Sequence, residues 1–192
     1  RLVRGSHIVT KRLFDHDKCY FFQGTDGRII FAIPYETDFT LIGTTDADHA
    51  DAATVPICTP QEVEYLCNFA SGYFKQPVTP DDVVWSFSGV RGLYDDGTKA
   101  ASATTREYVV RYDHVNGLPL LNIFGGKITT YRKLAEAVMD KLRVHFPQMP
   151  PNWTAGVALA GGDFEVGGNA RLAGELRAEF DFVDAPWAAR LI

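Results

Sequence analysis

The segment from Asn122 to Arg132, NIFGGKITTYR, is the strongest local candidate for a binding site. A strand pattern runs into Gly125 and Gly126 and then into a predicted helix N-terminus. The N–H groups at such a terminus carry partial positive charge, and glycines let an anion or a ring carbonyl approach the backbone closely. Lys127 adds a full positive charge. An ordinary strand-to-helix turn with a surface lysine has the same residues, so both interpretations stay open.

Two arginines stand at predicted strand ends. Arg91 comes at the end of one strand pattern, and Arg106 comes at the start of the next. Guanidinium groups bind phosphate through two parallel hydrogen bonds, so both arginines together with Lys127 would suit a small phosphorylated substrate. Each arginine alone is equally compatible with a solvated surface charge. The phosphate interpretation therefore requires that the three cations gather round one small pocket.

His7 is the histidine, among five, that lies inside a strand-like stretch beside small residues. An imidazole near its ordinary pKa can accept a proton from a substrate hydroxyl. A structural histidine with satisfied hydrogen bonds explains the position equally well. The aromatic residues Trp85, Phe87 and Tyr131 are interpreted as core side chains.

Strands carry most of these residues. Apolar and β-branched runs predict strands over residues 19–23, 28–33, 39–43, 82–90, 106–112 and 119–124. The Gly-containing turn at 24–27 and the dipeptide Asn116-Gly117 predict hairpins. Pro34 is expected to end the second strand because proline donates no backbone hydrogen bond. The pattern as a whole predicts an α+β fold with a largely antiparallel sheet.

A helix is predicted to begin at Thr59, which serves as N-cap before Pro60, and Glu62 completes a capping box. Its buried face is expected to carry residues 63, 66, 70 and 73. Another helix follows from about Thr130, with residues 134, 138 and 142 buried. Beyond residue 147 several prolines and glycines precede two more helical patterns, which we interpret as a linker and a helical appendage.

Composition limits the possible functions. The chain has 192 residues and a net charge of −5, which excludes a nucleic-acid-binding domain of the usual basic kind. It contains no apolar run long enough to span a bilayer and no metal-ligand spacing among its three cysteines and five histidines. It also lacks the G-x-G-x-x-G fingerprint of dinucleotide-binding folds. Because the chain lacks an initial Met, we expect it to be part of a longer protein, so that any dinucleotide fingerprint would precede Arg1.

Five blocks in order resemble the aerobic, FAD-dependent glycerol-3-phosphate dehydrogenases. They are RGSH at 4–7, IGTTD at 42–46, VWSFSGVR at 84–91, TRE at 105–107 and FGGKITTYRKLAE at 124–136. The resemblance implies the substrate domain of the D-amino-acid-oxidase-like FAD family, in which an antiparallel sheet covers the flavin. It divides the chain into a substrate-binding domain (1–117), the last strand and helix of the FAD domain (118–147), and a linker with the start of a C-terminal helical domain (148–192).

The resemblance also implies residue roles. Arg91 and Arg106 would bind the substrate phosphate and orient the glycerol backbone, and Arg91 would stabilise a developing alkoxide. His7 would be the catalytic base for the C2 hydroxyl, and Thr44 would line the substrate pocket. Lys127 would contact both substrate and flavin. The remaining cofactor-binding residues implied for FAD are Gly125, Gly126 and Thr129.

The implied reaction is oxidation of sn-glycerol 3-phosphate to dihydroxyacetone phosphate, with electrons passed to quinone. Related oxidases carry a long insertion in the substrate domain, and the stretch from Asp46 to Trp85 is short here, which favours quinone. The resemblance further implies a cytoplasmic, peripherally membrane-associated full-length protein that forms a homodimer. The chain alone is expected to be inactive and to lack FAD.

Two other functions remain open from the sequence. One is a non-catalytic module that binds a phosphorylated metabolite without oxidising it. The other is a related FAD-dependent amine or hydroxy-acid oxidase. A dinucleotide fingerprint upstream of Arg1 would separate the first from an enzyme, and flavin reduction by an amino acid would favour the second.

Overall fold

The computed structural model describes residues 1–95, 97 and 104–192. The described strands are β1 (Leu2–Lys11), β2 (Tyr20–Gln23), β3 (Ile29–Tyr35), β4 (Phe39–Gly43), β5 (Ala47–Asp48), β6 (Val83–Gly92), β7 (Val109–Val115) and β8 (Leu118–Phe124). The described helices are α1 (Pro60–Ser71), α2 (Tyr131–Leu142), α3 (Asn169–Glu179) and α4 (Ala185–Leu191). The chain divides into two compact units, residues 1–144 and 145–192.

The main sheet of the first unit is built around β1. One edge of β1 pairs with β6, and the other pairs with β4 and then β5. The β2–β3 hairpin extends the sheet beyond β4, giving the order β2-β3-β4-β1. Every described pairing is antiparallel, which confirms the predicted α+β fold with a largely antiparallel sheet.

Helix α1 covers one face of this sheet. Its N-cap Thr59 accepts a hydrogen bond from the Glu62 backbone N–H while the Glu62 carboxylate accepts one from the Thr59 N–H, so the predicted capping box is present. The core between helix and sheet consists of buried residues from both, namely Ile8, Ile30, Ala32, Ile42, Leu66, Cys67, Ala70 and Val78. Two-residue alternation along each strand sends the remaining side chains to the opposite face.

The second hairpin of the first unit, β7–β8, turns at Asn116-Gly117 as predicted. Asn116 and Gly117 both have positive φ, as a two-residue turn between β7 and β8 requires, and the two strands pair along their full length. After β8 the chain passes through Gly125 and Gly126 into a short 3-10 turn, Ile128–Thr130, and then α2. In the second unit, the Asp184 carboxylate caps α4 by accepting from the Trp187 N–H at 2.8 Å.

Several local expectations were wrong. Strand β3 continues through Pro34, which pairs with Thr40 at a point where β2 has already ended, so its missing N–H interrupts no ladder. Helix α1 ends at Ser71, so Tyr73 is not on its buried face. Within the described part of the chain, no helix combines the length and apolar character needed to cross a bilayer.

The three aromatic residues interpreted as core side chains are exposed. Trp85 is 54% exposed, Phe87 37% and Tyr131 51%. Trp85 and Phe87 lie on the sheet face opposite α1, which no described element of the first unit covers fully. Apolar residues on an otherwise regular strand are thus not evidence of burial in this unit.

Candidate functional site

The site is built around an irregularity where β4 passes into β5. Gly43 pairs with His7, and Ala47 pairs with Arg4, so three residues (44–46) face only two of β1. One extra residue opposite a continuous strand is the geometry of a β-bulge, which redirects side chains. Here Thr44 and Asp46 point to one face of the sheet, whereas Thr45 points to the face covered by α1.

Thr44 and Asp46 hold the guanidinium of Arg91. Arg91 donates from Nη2 to Thr44 Oγ1 at 3.1 Å and from Nη1 to Asp46 Oδ1 at 3.3 Å. Arg106 donates to the same Asp46 Oδ1 at 2.7 Å. A single half-buried carboxylate thus holds two guanidinium groups that are distant in sequence and keeps them side by side despite their mutual repulsion.

Two glycines make room for the functional side chains. A Cβ on Gly5 would lie 2.3 Å from Arg91 Nη1, and a Cβ on Gly43 would lie 2.1 Å from His7 Cδ2. A side chain at either position would therefore require Arg91 or His7 to move. Both glycines therefore face the same side of the sheet as Arg91 and His7, and their lack of a side chain is what lets these two groups lie flat against the strands.

His7 lies in the middle of β1 and stacks on Phe87 of β6, with ring centroids 4.9 Å apart and nearly parallel planes. Burial lowers the pKa of His7, and the charge of Arg91 lowers it further. The imidazole is consequently neutral near pH 7. Its Nδ1 is buried and has no hydrogen-bond partner among the described residues.

The glycine pair after β8 closes another side of the site. Gly125 and Gly126 have φ of +67° and +95°, and a Cβ on Gly125 would lie 2.9 Å from the Glu107 carbonyl oxygen. Lys127 follows with its Nζ 3.5 Å from a Glu107 carboxylate oxygen, and both side chains are largely exposed. Thr129 is exposed in the 3-10 turn.

Two adjoining clefts share Arg106 and Lys127. The hairpin cleft, about 620 Å³, lies along the β2–β3 hairpin and is lined by Phe21, Asp26, Gly27, Arg28, Ile29, Phe31, Thr44, Asp46, Arg106 and Lys127. The glycine cleft, about 550 Å³, is lined by Arg91, Gly92, Leu93, Arg106, Gly125, Gly126 and Lys127. The structure thus brings the three cations together at one cleft, as the phosphate interpretation requires.

His7 and Thr129 line neither cleft. His7 nevertheless shares the sheet face of Arg91, because Phe87, its stacking partner, is separated from Arg91 by two strand alternations. Asp46 and Glu107 each offset one positive charge, so the cleft residues keep a net positive charge suited to a phosphate dianion. The described residues include no group of three or more acidic, His or Cys side chains placed to hold a metal ion.

A buried polar network supports the bulge from behind. Glu62 Oε1 accepts hydrogen bonds from Thr45 Oγ1 at 2.7 Å and Ser6 Oγ at 2.8 Å, and Oε2 lies 2.9 Å from Arg4 Nη2. Burial opposes ionisation of Glu62, but hydrogen bonds from Thr59, Thr45 and Ser6 outweigh it and hold the Glu62 pKa below its ordinary value.

Sequence reasoning assigned no site role to Asp46, Gly5, Gly43 or Glu62. Each of the glycines interrupts an otherwise β-branched strand pattern, where glycine is unfavourable unless something approaches the backbone. That pattern could have identified them. Asp46 and Glu62 could not have been found, because their roles depend on pairings across 45 to 60 residues.

Comparison with known proteins places this geometry in a family. A model of the DAO family, described as FAD dependent oxidoreductase, matches residues 1–132. The chain is 43% identical to a D-erythritol 1-phosphate dehydrogenase from Brucella abortus over its whole length, and 40% identical to the aerobic glycerol-3-phosphate dehydrogenase of Escherichia coli over 95% of its length. It is 45% identical to a glycerol-3-phosphate dehydrogenase from Pseudomonas aeruginosa over 85%.

A solved structure agrees. The chain matches the crystal structure of a glycerol-3-phosphate dehydrogenase from Bacillus halodurans complexed with FAD, with a TM-score of 0.76 and 31% identity, over 99% of this chain and 36% of that one. It spans 37%, 36% and 32% of the three relatives named above. The chain belongs to the DAO family of FAD-dependent oxidoreductases.

Proposed function

We propose that the full-length protein containing this chain is an FAD-dependent dehydrogenase that oxidises sn-glycerol 3-phosphate to dihydroxyacetone phosphate. The observation that carries the proposal is the convergence of Arg91, Arg106 and Lys127 on the glycine cleft. Two guanidinium groups and an ammonium match the charge and the oxygen geometry of a phosphate monoester. Because the chain spans about a third of the length of its relatives, it supplies only part of such an enzyme.

The residues at the glycine pair suit a flavin ring. Gly125 and Gly126 line the cleft and have backbone conformations that favour glycine. Lys127 adds a positive charge beside it. FAD, when bound, would accept the hydride from the substrate C2, and Gly125, Gly126, Lys127 and Thr129 are the residues of this chain proposed to contact it.

Side chains of this chain bind the substrate and accept its proton. Arg91 and Arg106 bind the phosphate and fix the glycerol backbone, and Thr44 contacts the substrate at the edge of the hairpin cleft. His7 accepts the proton of the C2 hydroxyl as the hydride leaves. Its lowered pKa keeps it neutral and therefore able to accept a proton near pH 7. Arg91 stabilises the negative charge that develops on the C2 oxygen.

Replacement of the arginines tests this proposal. In the full-length protein, Arg91→Ala and Arg106→Ala are each expected to raise KM for sn-glycerol 3-phosphate about tenfold to hundredfold, since a hydrogen bond to a charged group contributes about 1.5–3 kcal/mol. Arg171→Ala is the control, because Arg171 pairs with exposed Glu175 and lines neither cleft. Unchanged kinetic constants in the two cleft variants would remove the phosphate-binding assignment.

A four-carbon substrate is a second candidate. The relative that matches the whole chain is named a D-erythritol 1-phosphate dehydrogenase, and its identity of 43% is close to that of the glycerol-3-phosphate dehydrogenases. Both substrates are polyol phosphates, so the cationic site suits either one. Comparison of kcat/KM for the two compounds on the same preparation decides between them, and oxidation of an amino acid instead would favour a related oxidase.

We further propose that quinone accepts the electrons and that the full-length protein is a cytoplasmic, peripherally membrane-associated homodimer. The segment from Asp46 to Trp85 holds β5, α1 and a single 3-10 turn, with no added subdomain of the kind that related oxidases carry, and this supports quinone over oxygen. Parallel assays of quinone reduction and oxygen consumption test the acceptor, sedimentation with and without vesicles tests membrane association and the homodimer, and cell fractionation tests the cytoplasmic location.

A further inference from the structure

We propose that Glu62, on the far side of the sheet from the cleft, is a positioning residue that sets substrate affinity by fixing the bulge at residues 44–46. The proposal rests on the function proposed above. Glu62 touches neither cleft, and it acts through Thr45, whose two neighbours in the chain hold the arginines. A buried carboxylate at a helix N-terminus thus has a role beyond helix capping.

The contacts of Glu62 divide between its two oxygens. Oε2 accepts from the Thr59 N–H and the Thr59 hydroxyl, both at 3.0 Å, and so serves the helix cap. Oε1 accepts from the hydroxyls of Thr45 and Ser6, and so serves the sheet. The whole residue is only 8% exposed, and the Arg4 guanidinium balances its charge. Arg4 of β1 contacts both oxygens, so the two differ in their hydroxyl partners, Thr59 for Oε2 and Thr45 with Ser6 for Oε1.

Thr45 is fixed from two directions. Its hydroxyl donates to Glu62 and also accepts from the Ser6 N–H at 2.9 Å, while its own N–H donates to the Ser6 carbonyl at 3.3 Å. The side chain is almost fully buried. Since a bulge breaks the regular ladder of the sheet, these bonds replace the ladder that would otherwise fix the backbone at this point.

The position of Thr45 affects the cleft through the backbone of its two neighbours. Thr44 and Asp46 stand on either side of Thr45 and supply the two acceptors of the Arg91 guanidinium, and Asp46 also holds Arg106. A bulge freed to move would let both acceptors move together. The arginines would then lose their shared orientation while keeping their charges, so binding of the phosphate should weaken more than the chemical step slows.

The test separates the two tasks of Glu62 in the full-length protein. Thr45→Val removes the hydroxyl that Oε1 accepts from, Thr45→Ser retains it, and Glu62→Ala removes both tasks. Thr59→Ala is the matched control, because it removes the hydroxyl contact on Oε2 and leaves Oε1 untouched. For each variant we would measure KM and kcat for sn-glycerol 3-phosphate and erythritol phosphate, the dissociation constant by calorimetry, and the melting temperature.

The expected result is a rise of about tenfold in KM and in the dissociation constant for Thr45→Val and Glu62→Ala, with kcat changed by less than about threefold. The double variant should show no further rise, because both changes break one connection. Thr45→Ser should restore wild-type KM, and Thr59→Ala should lower the melting temperature without changing KM.

Other outcomes would overturn the proposal. If Thr45→Val lowers the melting temperature as Thr59→Ala does but leaves KM and the dissociation constant unchanged, Glu62 is structural only, even should Glu62→Ala fail to fold. A wild-type protein that neither binds nor oxidises a polyol phosphate contradicts the proposed function itself, and the positioning role then falls with it. Wild-type activity with unaffected variants contradicts the positioning role alone.

Discussion

At the scale of single residues, Asp46 joins the two arginines of the site. Its Oδ1 accepts from both cleft arginines, and the side chain is 13% exposed, so solvent screens these pairs only in part. The substrate phosphate must share the guanidinium groups with this carboxylate. Asp46 therefore orients the two arginines relative to each other at the cleft.

Asp46→Asn should weaken substrate binding. The amide carbonyl can still accept a hydrogen bond, but it no longer compensates the two positive charges, which then repel each other and separate. We expect KM for the polyol phosphate to rise about tenfold in the full-length protein, with folding retained. Steady-state kinetics and thermal melting provide the measurement.

A matched control lies two residues further along. Asp48 accepts from Arg1 through both carboxylate oxygens, at 2.9 and 3.0 Å, but lines neither cleft. Asp48→Asn breaks a comparable aspartate–arginine pair and should leave KM unchanged. A lower KM in Asp46→Asn would mean that the carboxylate competes with the phosphate more than it orients the arginines, which contradicts an orienting role for Asp46.

The lowered pKa of His7 predicts how kcat/KM and stability depend on pH. Burial and the charge of Arg91 both disfavour the imidazolium form, so the folded pKa lies below that of the unfolded chain. If neutral His7 is the base, kcat/KM should be constant at neutral pH and fall only below about pH 6.5, the ordinary imidazole pKa. The same shift means that this contribution to stability is full above that pH and declines below it, because the unfolded chain binds the proton before folded His7 does.

The measurement is a pH profile of kcat/KM for the wild type and for His7→Gln. The variant should lose most activity at all pH values and should lack the acid limb. In Arg91→Lys the side chain keeps its charge, so the limb should stay where it is. An acid limb that persists unchanged in His7→Gln would assign the titration to another group.

At the scale of elements, strands β1 and β6 offer a paired test of how the sheet accommodates Arg91. Gly5 and Gly89 are directly opposite each other in the register. A Cβ on Gly5 would collide with the Arg91 guanidinium, whereas a Cβ on Gly89 meets nothing within 4 Å. Because the colliding atoms are the end of a flexible side chain, the strand can accept the methyl if Arg91 moves.

Gly5→Ala should therefore raise KM for the polyol phosphate about tenfold with little loss of melting temperature, since it displaces Arg91 from Thr44 and Asp46. Gly89→Ala should change neither quantity appreciably. Equal effects of the two substitutions on KM would show that phosphate binding does not depend on the position of the Arg91 guanidinium.

These elements also show how far sequence reasoning reached. Strand β4 and the α1 capping box were predicted correctly because their determinants lie within a few residues: an apolar and β-branched run for the strand, and a threonine followed by a proline and, three positions on, a glutamate for the cap. The bulge at 44–46 could not be predicted. It arises because β1 pairs first with β4 and then with β5, with one extra residue in the segment between those two strands. Such a difference in register leaves no local pattern in the sequence.

The same distinction explains the aromatic residues. Trp85 and Phe87 have the alternation of a strand with one apolar face, but alternation does not reveal which face a neighbour covers. In the first unit α1 covers the face that carries Ile8 and Ile42, and the Trp85 face stays open. The roles of Arg91, Arg106 and His7 remain predictions; what the structure adds is their proximity.

At the scale of the whole molecule, the open sheet face and the site belong together. The residues exposed on this face include Phe31, Trp85 and Phe87, and they surround His7 and approach the hairpin cleft. Exposed large apolar side chains gathered on one face of a folded unit indicate that something else packs against it. In the proposed full-length enzyme this partner would be the flavin and the part of the FAD domain that these 192 residues do not contain.

The isolated 192-residue chain should consequently bind FAD poorly. The parts of this chain proposed to contact FAD, residues 125–129 and the open sheet face, would contact only its ring, and no strand–G-x-G-x-x-G–helix segment is present in the sequence to bind the pyrophosphate. Purification with added FAD should yield a colourless chain, whereas the full-length protein should be yellow. Absorbance at the flavin band measures this directly.

A polyol phosphate should still protect Arg91 and Arg106 of the isolated chain from arginine-modifying reagents. The reason is that the bulge, Gly5, Gly43 and Glu62 all lie in its first unit. A yellow isolated chain with one flavin per polypeptide would contradict this division of the cofactor site, and loss of the protection would mean that the phosphate site, too, needs the rest of the enzyme.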